Sequence, residues 1–467
     1  MNARAGVLFW TCLSAAVLAS RLAHVHLLWA DEDYHLAAAI QALHGKLPYR
    51  DFWYDKPPLN LAFYLIFGAR TGAILRIADA LFIILCCVLA CEFASKLWSR
   101  REGFIAAAAA AFFLIFYTTP AVLPLEPDTL MIAPHLAAVY LAYRRKPFLA
   151  GIAAGIALQL NVRGAFVLAF AALFHPAGIP MLAFGFLVPN ALVFSWLAAT
   201  GALANYWAQV WRWGWLYLRN APSGGPLQLA GWFGFHAALV VPALALWVRE
   251  RSRTLAWFAL ALIFSLVGMR NAPRYFNLLL PPLMIAAAGG VKVMKPVGPV
   301  LAVLLAIPAI RFGPRYFQLE SWRDTAMDRE SRQAAAIVRA QANQEDTIFV
   351  WGYRPDLIAY TRLPIAGRFL DSQPLTGVPA DRHLFDSRPV AEGWARENRR
   401  ELIHARPVFL VDGLSAYNPK LDIRGYPDLE AWLAQYCPIS RAGLTTVYRL
   451  CGGAGPWLAA AAQAASP

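Results

Sequence analysis

Residues 31–58, reading DEDYHLAAAIQALHGKLPYRDFWYDKPP, carry Asp31, Glu32, Asp33, Lys46, Arg50, Asp51, Asp55 and Lys56 between two hydrophobic segments. Charge of that density beside a membrane is costly unless water or a ligand solvates it, so the segment is a candidate functional site. A carboxylate such as Asp31, with Glu32 next to it, can take the proton from a hydroxyl nucleophile. A fixed cation such as Lys56 can hold a phosphate whose negative charge grows as a bond to it breaks. Pro57 and Pro58 stiffen the backbone immediately after that lysine.

The rest of the chain fixes where such chemistry could happen. Of 467 residues, 59% are hydrophobic and 15% charged, with a mean hydropathy of +0.46. A soluble domain carries about 25% charged residues. The 17 Trp and 28 Phe suit the aromatic belts of bilayer interfaces. The expected class is an all-α polytopic membrane bundle. The net charge of +14 sits in short turns between apolar runs and in the C-terminal third. Topology and anionic lipid account for it, and no nucleic-acid partner is expected.

A span needs about 20 apolar residues, which allows about eleven here. They fall near 6–29, 71–95, 103–118, 128–143, 147–161, 164–176, 178–199, 228–248, 254–269, 276–290 and 297–312. Residues 59–69 read as an interfacial helix or the start of the second span, and the first run reads as an uncleaved helix rather than a signal peptide. With the N-terminus cytoplasmic, basic clusters such as Lys96, Arg100 and Arg101, or Arg144, Arg145 and Lys146, fall on the cytoplasmic side. The loop 30–70, residues 118–127, 200–227, Arg270 to Arg274 and everything from 313 then lie outside. The division is a membrane domain at 1–312 and a small extracytoplasmic α/β domain at 313–467. In the latter, 347–351, 407–411 and 445–450 read as strands, and 324–342 and 427–436 as helical. Cys437 and Cys451 could be bridged there or remain free.

Asp31-Glu32-Asp33 matches the D-x-D pattern through which nucleotide-sugar transferases bind metal, but those enzymes carry it in a soluble cytoplasmic domain. A closer pattern is D-E-x-Y, then G-x-x-P-Y-x-D-F-W, then D-K-P-P-L. It resembles the GT-C superfamily of integral-membrane glycosyltransferases, in the branch of protein mannosyltransferases and aminoarabinose transferases. Leu123-Pro124-Leu125-Glu126-Pro127-Asp128, and Pro273-Arg274-Tyr275-Phe276 running to Pro281-Pro282, agree with it.

The resemblance implies sugar transfer from a polyprenyl-phosphate donor to an extracytoplasmic glycolipid, polysaccharide or protein in the inner (plasma) membrane. It places the general base on Asp31 with Glu32 beside it, and substrate contacts on Lys56, Tyr34, Tyr49, Glu126, Asp128, Arg163, Arg274 and Tyr275. A divalent metal is left open, with Asp31, Glu126 and Asp128 as its candidate ligands. Plainer roles compete. Asp31 could cap the following helix, Lys56 could snorkel, Arg274 could anchor in headgroups, and Glu126 and Asp128 could favour a helix N-terminus. The Trp-rich run around Trp207, Trp211, Trp213 and Trp215 reads as an interfacial helix or a platform for a lipid tail or sugar. A transporter or flippase is the functional alternative, although its inverted repeats and mid-membrane charges are not evident.

Overall fold

The structure, a computed structural model, describes residues 3–116, 125–219, 225–250, 252–267, 273–294, 298–316, 323–379 and 388–451. Helix α1 (Ala3–Leu22) leads to α2 (Glu32–Leu43), α3 (Pro58–Ile66) and α4 (Ala73–Leu97). Among the described residues, α1, α4, Pro176–Ala199 and Pro273–Val293 are long and apolar enough to cross a membrane. Pro226–Phe235 and Ala237–Arg249 form a further crossing if their 87° bend is taken as one broken span. Exposed Val7, Leu81 and Leu187 on three of these helices suit a lipid surround. The chain is thus a multi-pass membrane protein.

The expected count of about eleven spans is not confirmed among the described residues. Helices stand at the expected places, but Pro147–Leu160, Val167–Phe174, Arg253–Ser265 and Gly298–Phe312 are shorter than a straight crossing. The expected hairpin at 147–176 turns through a 3₁₀ segment, Val162–Phe166. A Cβ on Gly164 would lie 2.1 Å from the Ala157 carbonyl carbon, so the turn is this tight only with glycine. Residues 59–69 form the separate helix α3 rather than the start of α4.

Buried charges lock the first elements together. Arg21 of α1 pairs with Asp79 of α4 at 2.9 Å and donates to the Leu114 carbonyl at 2.6 Å. Arg76, one turn before Asp79, holds both carboxylate oxygens of Glu32 at 2.8 Å and donates to the Leu27 carbonyl at 2.6 Å. All four side chains are 0% exposed.

The C-terminal strands β1 (Ile348–Trp351), β2 (Phe409–Asp412), β3 (Tyr436–Ala442) and β4 (Thr445–Leu450) form one sheet in the order β1-β2-β4-β3. The β1–β2 pair is parallel and the other two pairs are antiparallel. Strand β3 was not expected; Pro438 and a register shift at Pro438/Ser440 obscure its alternation. Cys437 and Cys451 are bonded, with Cα atoms 5.4 Å apart. The core does not stop at the 312/313 boundary: Leu36, Ile40 and Tyr54 share a cluster with Ala334, Ile348 and Val350.

Hydrogen bonds from the first loop to backbone of the C-terminal domain seal this junction. Gln41 donates to the Leu363 carbonyl at 3.2 Å and accepts from the Ile365 N–H at 2.9 Å. Lys46 donates to the Ile365 carbonyl at 2.5 Å, and the Trp53 N–H to the Arg368 carbonyl at 2.7 Å. Trp53 and Trp213 meet Trp394 at ring distances of 4.9 and 6.0 Å. The Trp-rich run is therefore divided, with Trp213 packed inside and Trp207 and Trp215 exposed.

Removing one partner from a buried ion pair leaves an uncompensated charge, at a cost of about 3–5 kcal/mol. Glu32→Ala should therefore lower the thermal midpoint of the detergent-solubilised protein sharply. An unchanged midpoint would show that the Arg76–Glu32 pair does not hold the fold.

Candidate active site

Asp31 directly precedes α2, at the N-cap position, yet its side chain makes no capping bond. Its backbone, at φ 77° and ψ −37°, lies in a region that L-residues seldom adopt and that costs about 1–3 kcal/mol. That geometry turns the carboxylate off the helix axis. It accepts a hydrogen bond from the Tyr353 hydroxyl at 3.0 Å and forms an ion pair with Arg274. The Asp31 and Arg274 side chains remain 23% and 32% exposed, so the pair faces an open cleft. Burial, reinforced by Asp33, Asp371 and Asp55, pushes the Tyr353 phenol well above its usual range, so it keeps its proton and donates.

The neighbouring carboxylate has a different fate. Glu32 is sealed from solvent and both its oxygens are taken by Arg76. Its expected place beside a reacting acceptor is not what the geometry provides; it fastens α2 to α4. Tyr49 also departs from its expected role in sugar contact. It is wholly buried, and its hydroxyl donates to the Lys56 carbonyl at 2.7 Å. Its own carbonyl accepts from Gln209 at 2.9 Å and from Arg368 at 3.0 Å. Tyr49 therefore sets the backbone that presents Lys56.

Tyr34 is likewise a support. Its ring stacks on Tyr54 at 5.5 Å, and its hydroxyl accepts from the Asp55 N–H at 3.2 Å. The Lys56 ammonium lies 5.9 Å from the Tyr34 ring centre and 2.9 Å from the Asp55 carboxylate, with its side chain 38% exposed. Arg50 and Asp51 pair with each other at 2.8 Å, and Asp51 accepts from the Leu47 N–H at 2.8 Å. Those charges shape the loop.

The other expected residues meet on the far wall. Arg163 lies over the Tyr275 ring at 3.6 Å, and Arg274 approaches the same ring at 5.8 Å. Asp128 accepts from Asn161 at 2.8 Å and lies 3.9 Å from Arg163. Glu126 does cap the short helix Pro127–Leu130, accepting from the Asp128 N–H at 3.3 Å. Burial and the charge of Asp128 push the Glu126 carboxyl well above its usual range, while the nearby Lys56 ammonium opposes that shift. The Lys56 loop thus faces this wall. Arg270 and Leu123-Pro124 fall outside the described residues.

Of the three candidate metal ligands, Asp31 is engaged by Arg274 and the Tyr353 hydroxyl, Asp128 by Asn161, and Glu126 by the Asp128 N–H. Among the described residues, no three His, Cys, Asp or Glu side chains gather as metal ligands.

Tyr353 and Asn161 were not anticipated. Tyr353 follows Gly352 at the carboxyl end of β1, the end of a parallel strand where ligands commonly sit. That position was the available signal. Asn161 accepts from the Arg163 N–H at 3.0 Å as it starts the 162–166 turn, while its amide holds Asp128.

No protein-family model matches the chain, and no curated protein matches it. Solved structures do. ArnT from Cupriavidus metallidurans bound to undecaprenyl phosphate is 15% identical with a TM-score of 0.55, covering 97% of this chain and 99% of that one. The same enzyme in its apo state gives a TM-score of 0.54 at 15% identity, with the same coverage. The Archaeoglobus fulgidus oligosaccharyltransferase tethered to an acceptor peptide is 13% identical with a TM-score of 0.50, over 96% of this chain and 74% of that one. These neighbours are GT-C glycosyltransferases. The first-loop pattern and the coordinates agree: the chain has the GT-C fold.

Proposed function

We propose that the cleft transfers a sugar from a polyprenyl-phosphate donor to a hydroxyl acceptor on the extracytoplasmic side of the membrane. The observation that carries this reading is one partly open carboxylate, Asp31, paired with Arg274, with Arg163 on the same Tyr275 ring and the Lys56 ammonium close to Glu126. The acceptor hydroxyl gives its proton to Asp31 as its oxygen attacks the anomeric carbon. The bond from that carbon to the phosphate oxygen breaks with its electron pair leaving on the phosphate. The lipid phosphate therefore passes from a singly charged diester to a monoester of about two negative charges at neutral pH. Three fixed cations at that point stabilise the departing charge more than the starting one, which is how they would accelerate the reaction.

The membrane side follows from charge bias and cysteine chemistry. Lys96, Arg100 and Arg144 sit opposite the cleft loops in the sequence order, as the positive-inside rule places them. A Cys437–Cys451 bond suits an oxidising compartment for the C-terminal domain. The neighbouring ArnT structure is bound to undecaprenyl phosphate and the neighbouring oligosaccharyltransferase is tethered to an acceptor peptide. A lipid-linked donor and a separate acceptor are the corresponding partners here.

Proteoliposomes supplied with a radiolabelled polyprenyl-phosphate sugar test the reaction. Asp31→Asn should lower transfer by about 10²–10⁴-fold, the usual contribution of a positioned base. Lys56→Ala and Arg274→Ala should raise the donor KM and lower kcat together. Undiminished transfer by Asp31→Asn would overturn the assignment of the base.

Glu126 gives a separate test. Its pKa is raised in the folded state, so stability is fullest below the unfolded carboxyl value and falls as pH rises toward the folded one. Glu126→Gln mimics the protonated carboxyl. It should flatten the decline of the thermal midpoint as pH rises above the ordinary carboxyl range, while transfer persists. A large loss of midpoint would mean that the carboxylate is charged.

A further inference from the structure

A cavity of about 710 Å³ lies within the C-terminal domain and is lined by none of the cleft residues. Helix Glu392–Leu402 builds one wall, presenting Glu392, Ala395, Arg396 and Arg399 at i, i+3, i+4 and i+7, one stripe of a helix. Arg388 and Lys420 enter from two other segments. Among the described residues, four cations and one carboxylate line this concavity. Arg399 is fixed in place: it donates to Asp428 at 2.8 Å and to the Leu375 carbonyl at 2.7 Å, and its guanidinium lies over the Tyr426 ring at 4.7 Å. Buried Val378 and Ala395 provide an apolar floor.

Nothing in the transfer reaction uses this cavity, and its basic lining suits an anion. The cations approach from three separate segments. That arrangement surrounds a tetrahedral phosphate better than a planar carboxylate, which is matched by a single guanidinium fork. The volume is in the range of small-molecule sites and is far more than phosphate alone needs. The apolar floor suits the C–H face of a sugar ring, and Glu392 can accept from its hydroxyls.

We propose that this cavity binds a phosphorylated saccharide. The inference goes beyond the transfer reading and does not need it, because binding can be measured without turnover. Isothermal titration of the full-length protein in phosphatidylcholine nanodiscs would use glucose 1-phosphate, glucose and inorganic phosphate as probes. Glucose 1-phosphate should bind saturably and at least tenfold tighter than either of the others. Arg396→Glu with Lys420→Glu, both exposed positions, should weaken it at least tenfold, and Lys420→Gln alone should weaken it less, with thermal midpoints unchanged. Arg274→Ala in the membrane cleft should leave the affinity as it was. Equal binding of glucose or of inorganic phosphate would overturn the proposal. So would binding that survives the double substitution or is lost with Arg274→Ala, since it would then belong to the cleft.

Discussion

Four charges with no access to water, Arg21, Asp79, Arg76 and Glu32, set the geometry from which the rest of the cleft follows. A charge removed from water is tolerated only when its partners are close and well aligned. Here each partner comes from a different element, so α1, α2 and α4 have little freedom to shift against one another. Glu32 is thereby pinned at the first position of α2. The residue before it must reach that position from the 23–30 segment, and it does so with a positive φ. The Asp31 carboxylate consequently projects from the helix start into the open cleft. Two adjacent acids thus take opposite roles, one as an anchor and the other as the exposed group.

The C-terminal domain belongs to the same site rather than sitting beside it. Its backbone carbonyls take hydrogen bonds from Gln41, Lys46 and His44 of the first loop, at 3.2, 2.5 and 2.9 Å. Arg362 returns the contact by donating to the Ala69 carbonyl at 2.6 Å. Backbone acceptors in a packed domain offer little rotameric freedom, so a loop bonded to them inherits their rigidity. Tyr353 then reaches Asp31 from a strand end 322 residues away in sequence. The shared core around Ile40, Tyr54 and Val350 makes this registration part of folding rather than a later docking event.

What was legible in the sequence follows the same physics. Apolar runs revealed the membrane class and the places of its helices, because burial in lipid is a property of composition. Span lengths were not legible, because a proline or a tight 3₁₀ turn splits an apolar run without changing its hydropathy. The residues at the two walls, Asp31, Lys56, Asp128, Arg163 and Arg274, stood out because charge in such a setting demands an explanation. Glu32 and Tyr49 carried the same signal but are structural. Only the fold shows that Arg76, hidden inside an apolar helix, consumes the first, and that the Tyr49 hydroxyl serves the Lys56 carbonyl. Tyr353 was invisible as a cleft residue because no local pattern encodes a contact made across the whole chain.

Arg274 has two competing claims on it in the proposed reaction. Without donor, it neutralises Asp31, and a carboxylate engaged by a guanidinium is a weaker base. A lipid phosphate entering between Lys56 and Arg163 offers Arg274 a second anion. Guanidinium–phosphate pairing is charge-assisted and bidentate, so the phosphate is a strong competitor. As Arg274 turns to the phosphate, Asp31 retains only the Tyr353 hydroxyl, and its second oxygen becomes free for the acceptor. Tyr275 is placed to guide that turn, since its ring already lies against both Arg163 and Arg274. Donor binding and base activation are then two consequences of one exchange of ion-pair partners, which keeps the carboxylate occupied until there is a sugar to transfer.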